Sequence, residues 1–131
     1  MNKTIIFLVL IASTILSSCG SSSSESHSES KDSVIKTVSV TEFAKLIEEG
    51  NGTLLDVRTP GENASGNIEG SMLIDIKGSS FNEDIQKLDK NKPVYVYCRS
   101  GARSMSAAKK MEAEGFTKIY NLDGGFNAWS K

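Results

Sequence analysis

The chain holds one histidine, His27, and two cysteines, Cys19 and Cys98, among 131 residues. His27 lies in a serine-rich stretch, so the apolar-patterned remainder contains no imidazole. Without a Cys-His pair, a papain-like protease is excluded. A lone thiol without imidazole also cannot assemble the nitrogen and sulfur tetrahedron of a zinc site. An excess of charge of one sign is missing too. Fifteen basic and 16 acidic residues leave a net charge of −1, and the basic ones are scattered over several segments. That distribution gives no nucleic-acid footprint. No internal repeat is present, and the length suits a single globular domain.

What is present begins with an apolar run. Met1-Asn2-Lys3 is a short positive start, Thr4 to Leu16 is rich in Ile, Leu, Val and Phe, and small residues follow. This pattern predicts a secretory signal peptide over residues 1–18, since the run is short for a permanent membrane span. Leu16-Ser17-Ser18-Cys19 resembles the lipobox of bacterial lipoproteins, in which cleavage precedes the cysteine and its sulfur is lipidated. Lipid on Cys19 would leave no second thiol for Cys-x-x-Cys disulfide exchange. Residues 19–33 would then be the lipidated N-terminus and a flexible tether. Its GSSSSESHSESKDS stretch has nothing apolar to bury and would span about 20 Å root-mean-square as a coil. The expected location is the cell envelope, lipid-anchored on the extracytoplasmic side.

The folded domain is expected over residues 34–131. Short apolar segments alternate with amphipathic ones. Strands are predicted at residues 38–39, 53–57, 72–74, 94–97 and 118–122, and helices start after a Ser39–Glu42 capping box, at Phe81 and at Arg103. The long helix from Arg103 is expected to bury Met105, Ala108 and Met111, and Gly125 to Trp129 to form a terminal turn or helix. Such alternation predicts an α/β fold with a central parallel sheet of about five strands, covered by helices on both faces.

One short stretch carries the chemistry. Val94-Tyr95-Val96-Tyr97 ends on Cys98, and Arg99-Ser100-Gly101-Ala102-Arg103-Ser104 follows at once. A cysteine there stands at the carboxyl end of a strand, where ligands of such sheets bind. The permissive Gly101 suits a tight turn whose N–H groups form an anion-binding nest at a helix N-terminus. With Arg99 and Arg103 nearby, these influences favour thiolate, and cysteines so placed have pKa values of about 3.5–7.5. A thiolate in an anion cradle suits a small charged substrate with an electrophilic centre, either a phosphate ester or thiosulfate. An outward-facing turn around a sealed sulfur would remove that case.

From Val38 to Trp129 the sequence resembles a single rhodanese domain, a sulfurtransferase fold. The resemblance rests on Leu55-Asp56-Val57-Arg58-Thr59-Pro60-x-Glu62, Gly66-Asn67-Ile68-Glu69-Gly70-Ser71, the loop from Cys98 to Ser104, and Asn121-Leu122-Asp123-Gly124-Gly125-Phe126-x-Ala128-Trp129. It implies that Cys98 is the persulfide-forming nucleophile and that Arg99, Ser100, Gly101, Ala102 and Arg103 bind the outer sulfur. Asp56 and Arg58 are expected as a supporting ion pair, and Trp129 as a core plug. Asn67 replaces the family's usual histidine and Asn63 its usual aromatic, so altered packing is expected there.

Cys98 and Arg103 bracket four residues, whereas related phosphatases and arsenate reductases have five and would need arginine at Ser104. The compact loop favours sulfur transfer. Sulfane sulfur would pass from thiosulfate or a persulfide donor to cyanide or a thiol by double displacement, with no metal or organic cofactor. The alternative on the same fold is a tethered persulfide carrier or interaction module with little turnover.

Overall fold

The computed structural model describes residues 32–131. The expected signal peptide, lipobox, Cys19 and His27 lie outside the described residues.

Four consecutive strand-forming residues, Val94 to Tyr97, are all buried and become the centre of a five-stranded sheet. In chain order the elements are β1 (Ile35–Val38), α1 (Val40–Glu49), β2 (Thr53–Asp56), α2 (Pro60–Ala64) and β3 (Met72–Leu73). They continue with α3 (Phe81–Ile85), β4 (Val94–Tyr97), α4 (Ala102–Ala113), β5 (Ile119–Leu122) and α5 (Gly125–Trp129). The strands lie in the order β1-β5-β4-β2-β3, and every pairing is parallel. The expected α/β fold, a parallel sheet between helices, is the fold observed.

Successive side chains of a strand point to opposite faces, and β4 divides the core accordingly. Val94 and Val96 pack with Phe81 and Ile85 of α3 and with Ala107, Ala108 and Met111 of α4. Tyr95 and Tyr97 join Phe43 of α1, Leu54 and Ile68, with Phe126 and Trp129 packed against them. Trp129 meets the Phe43 ring edge-on at 6.3 Å. Cys98 is one step past the strand and keeps the phase of Val94 and Val96, so it joins the α4 side.

Local chemistry explains most boundaries, including those that differ from expectation. β1 starts three residues earlier than predicted, because the edge strand is held by backbone pairing of Ile35 through Val38 with Ile119 through Leu122. At α1 the Ser39 side chain accepts from the Glu42 N–H at 3.3 Å. The reciprocal capping box forms instead at α2, where Thr59 and Glu62 satisfy one another and Pro60 opens the helix. On α4 the buried face is Ser104, Ala107, Ala108 and Met111, while Met105 is only half-buried. Among the described residues, no helix is long and apolar enough to cross a membrane.

Candidate active site

β4 delivers Cys98 to the carboxyl edge of the sheet, and the chain turns there into α4. Gly101 caps that helix with φ +106°, a conformation that suits glycine alone, and its N–H donates to Cys98 Sγ at 3.1 Å. The Ser104 hydroxyl lies 3.3 Å from the same sulfur, on the first turn of α4. The turn therefore faces inward. Burial pushes the Cys98 thiol up, but the Ser104 hydroxyl and the N–H groups of Ser104, Gly101 and Ser100 outweigh it and hold it below an ordinary cysteine. Cys98 is nevertheless 0% exposed. The neighbouring cavity of about 410 Å³ is lined by Arg58, Glu62, Ser65, Arg99, Phe126 and others, but not by Cys98. The sulfur thus lies beneath the floor of that cavity rather than on its wall.

The two loop arginines are placed differently. Arg103 forms a double hydrogen bond with Glu62 of α2, at 2.7 and 2.8 Å. The Arg103 guanidinium holds the Glu62 carboxyl far below the usual carboxylate range. Glu62 thus both caps α2 and ties it to the start of α4. Arg99 is exposed, lines the cavity, and makes no side-chain hydrogen bond or ion pair among the described residues. Ser100 is exposed beside it, and so is Ala102 at the start of α4.

A second loop leaves the adjacent strand β2. Asp56, fully buried, accepts from the N–H and guanidinium of Arg58, from Asn63 Nδ2 at 2.9 Å and from the Tyr97 hydroxyl at 3.0 Å. Burial alone would raise the Asp56 pKa; the hydrogen bonds from Arg58 and Asn63 reverse that and lower it. Arg58 also donates to the Gly66 carbonyl at 2.7 Å and lies over the Phe126 ring, 4.4 Å from its centroid. Asn63 thus contributes a direct bond to the buried carboxylate, and Asn67 donates to the Asn63 carbonyl at 3.2 Å.

α5 closes the site from the other side. The N–H groups of Phe126 and Asn127 donate to the carbonyls of Cys98 and Arg99 at 2.8 and 3.0 Å. Gly125 makes this possible, because a Cβ there would stand 2.5 Å from the Cys98 carbonyl oxygen.

Three residues around the sulfur carry no expected role from the sequence: Ser104, Glu62 and Asn121, each of which appears there only within a motif. The Thr59-Pro60-x-Glu62 spacing is a capping signal that could have placed α2 and Glu62. Asn121 interrupts the strand Ile-Tyr-Asn-Leu, and a polar residue inside an apolar strand implies a buried partner.

The pattern of the rhodanese-like domain family matches residues 39–131. YqhL of Bacillus subtilis is 36% identical over 96 residues, 73% of this chain and 73% of its own. The thiosulfate sulfurtransferase GlpE of Pseudomonas fluorescens is 35% identical over 88 residues, 67% of this chain and 79% of its own. Among solved structures, a rhodanese-like domain protein from Staphylococcus aureus superposes with a TM-score of 0.64 at 32% identity, covering 72% of this chain and 90% of that one. With the Cys98 loop, the helix that closes it and this sheet order in place, the chain belongs to the rhodanese-like domain family.

Proposed function

We propose that this protein is a sulfurtransferase that carries sulfane sulfur on Cys98. The observation that carries the proposal is the inward-facing turn of residues 99–102, whose Gly101 N–H reaches the sulfur at 3.1 Å. The name of the Pseudomonas relative, a thiosulfate sulfurtransferase at 35% identity, supports the same chemistry.

In the first half-reaction the Cys98 thiolate attacks the outer sulfur of thiosulfate or an organic persulfide. The sulfur–sulfur bond of the donor breaks, and sulfite or a thiolate leaves with the electron pair. In the second, cyanide or an acceptor thiolate attacks the outer sulfur of the enzyme persulfide, and Cys98 leaves as thiolate. No proton moves at the nucleophile, so hydrogen-bond donors rather than a general base suffice. The two half-reactions predict ping-pong kinetics. Arg99, unpaired at the cavity, attracts an anionic donor; Arg103 acts mainly through Glu62 to hold the loop. We place the protein in the cell envelope, lipid-anchored through Cys19 on the extracytoplasmic side.

The complete burial of Cys98 favours a second reading, a persulfide carrier whose loop opens to a partner. Incubation with thiosulfate and cyanide separates the two. Steady thiocyanate release is expected of the enzyme, together with an adduct of about 32 Da, one sulfur atom, on Cys98. A stoichiometric adduct without turnover would identify the carrier, and no adduct would overturn both. Mass spectrometry of the natively isolated N-terminus tests the lipid on Cys19; an unmodified cysteine or uncleaved leader would refute it.

A further inference from the structure

Ser104 has one hydroxyl hydrogen and three acceptors around it. Asn121 Oδ1 stands 2.5 Å from Ser104 Oγ, the Gly101 carbonyl 3.0 Å and Cys98 Sγ 3.3 Å. A single hydrogen serves one of them well at any moment. Both Ser104 and Asn121 are buried, at 0% and 3% exposure, away from bulk solvent. The Asn121 amide is held loosely on its other side. Among the described residues its Nδ2 finds only Thr37 Oγ1 and the Gly101 carbonyl, each at 3.5 Å. A half-turn of the carboxamide would exchange an acceptor for a donor next to Ser104, with Thr37 able to donate to the oxygen that replaces Nδ2, at the loss of the long contact to the Gly101 carbonyl.

We propose that Asn121 is a positioning residue for sulfur transfer, its carboxamide deciding whether the Ser104 hydrogen goes to the Cys98 sulfur or stays on the amide oxygen. With Nδ2 turned toward Ser104, the amide donates to the hydroxyl oxygen and the hydroxyl donates to the thiolate. After sulfite departs with the electron pair of the donor bond, Sγ is a neutral divalent sulfur and a poor acceptor. The hydrogen then returns to Oδ1. When the outer sulfur is handed on, the amide turns again and the hydroxyl stabilises the departing thiolate. The charged groups near Cys98 are Arg99 and Arg103, the latter paired with Glu62 of α2 and facing Asp75 from the segment before α3. None of them contacts Asn121 among the described hydrogen bonds.

The role builds on sulfur transfer at Cys98, but its test needs neither donor nor acceptor. Thiolate formation is followed by ultraviolet absorbance against pH in the wild type, Asn121→Asp, Ser104→Ala and the double variant. The acceptor-only carboxylate of Asn121→Asp keeps the Ser104 hydrogen, so the midpoint is expected to rise by about one pH unit, a tenfold loss of thiolate. In the Ser104→Ala background the same change is expected to move it by less than a third as much. An unmoved midpoint overturns the proposal, and so does an equal shift in both backgrounds, which would mean charge acting directly on the sulfur. Should Asn121→Asp not fold, the Asn121 side-chain amide resonances of the wild type are followed through the Cys98 titration. They are expected to move with it and to stay fixed in Ser104→Ala; resonances that ignore the titration overturn the relay. A midpoint that shifts while thiocyanate assays stay silent refutes the enzymatic function and leaves the relay standing.

Discussion

The loops leaving the adjacent strands β2 and β4 end within hydrogen-bonding distance of one another, yet they use charge in opposite ways. After β2, each ionic group is matched: Asp56 receives Arg58, Asn63 and Tyr97, and Arg58 is shared among Asp56, Gly66 and the Phe126 ring. After β4, donors outnumber formal charges, and several N–H groups and one hydroxyl converge on a single sulfur. A saturated polar cluster has no capacity left for a substrate and serves as scaffold. An excess of donors around one polarizable atom stabilises added negative charge, as a reaction requires.

Breaking the β4 loop should have the largest effect on chemistry and almost none on the fold. Cys98→Ser is expected to abolish both the persulfide adduct and thiocyanate formation while leaving the melting temperature close to wild type. An adduct that survives would move the nucleophile elsewhere. Breaking the β2 loop should do the reverse. Asp56→Ala strands a buried guanidinium and is expected to cost about 3–5 kcal/mol of stability, read by denaturant unfolding. A variant of unchanged stability but lost turnover would make Asp56 a participant in the chemistry.

Gly125→Ala probes the contact that joins the site to α5. Its Cβ would clash with the Cys98 carbonyl at 2.5 Å, and its φ of +57° already disfavours a side chain. A loss of about 1–3 kcal/mol is expected, accompanied by slower persulfide formation because the loop itself must yield. Normal rates at reduced stability would show that the loop tolerates the shift. Smaller still is the contrast between the arginines. Arg99→Ala should raise KM for thiosulfate more than Arg103→Ala, and the difference should shrink for an uncharged donor. The reverse order would mean that Arg103 leaves Glu62 when substrate binds.

The smallest effect concerns acid. Glu62 is held below its ordinary value of 4.5 by Arg103, so its contribution is complete above that pH and fades as pH falls below it. With both side chains about a quarter exposed, Glu62→Gln is expected to cost no more than about 1 kcal/mol at neutral pH. The cost should vanish in strong acid. A penalty that persists there would point to the Thr59 cap rather than to the ion pair.

The sheet was legible because β4 is a continuous apolar run, and β2 and β5 are short, mostly apolar segments bounded by turn residues, as a parallel interior demands. α2 offers only its Thr59–Glu62 cap as a signal, since Pro-Gly-Glu-Asn-Ala has no apolar face and buries nothing. β1 was displaced because Lys36 and Thr37 interrupt its apolar pattern, while its pairing is carried by the backbone. Within the site, the position of Cys98 could be inferred from a strand end followed by a glycine turn. The pairing of Arg103 could not, because Glu62 stands 41 residues away and the two meet only once β2 and β4 are neighbours. The partnership of Ser104 and Asn121, 17 residues apart, likewise depends on β5 lying beside β4.

Parallel strands give the molecule a head and a tail. Val34 enters β1 at the tail, whereas Cys98 leaves β4 at the head, five residue steps and about 17 Å further along by the strand register. Any force applied upstream of β1 therefore pulls on the end remote from the sulfur. A surface that held the molecule by that end would leave the Cys98 edge unobstructed, free to meet whatever diffuses past.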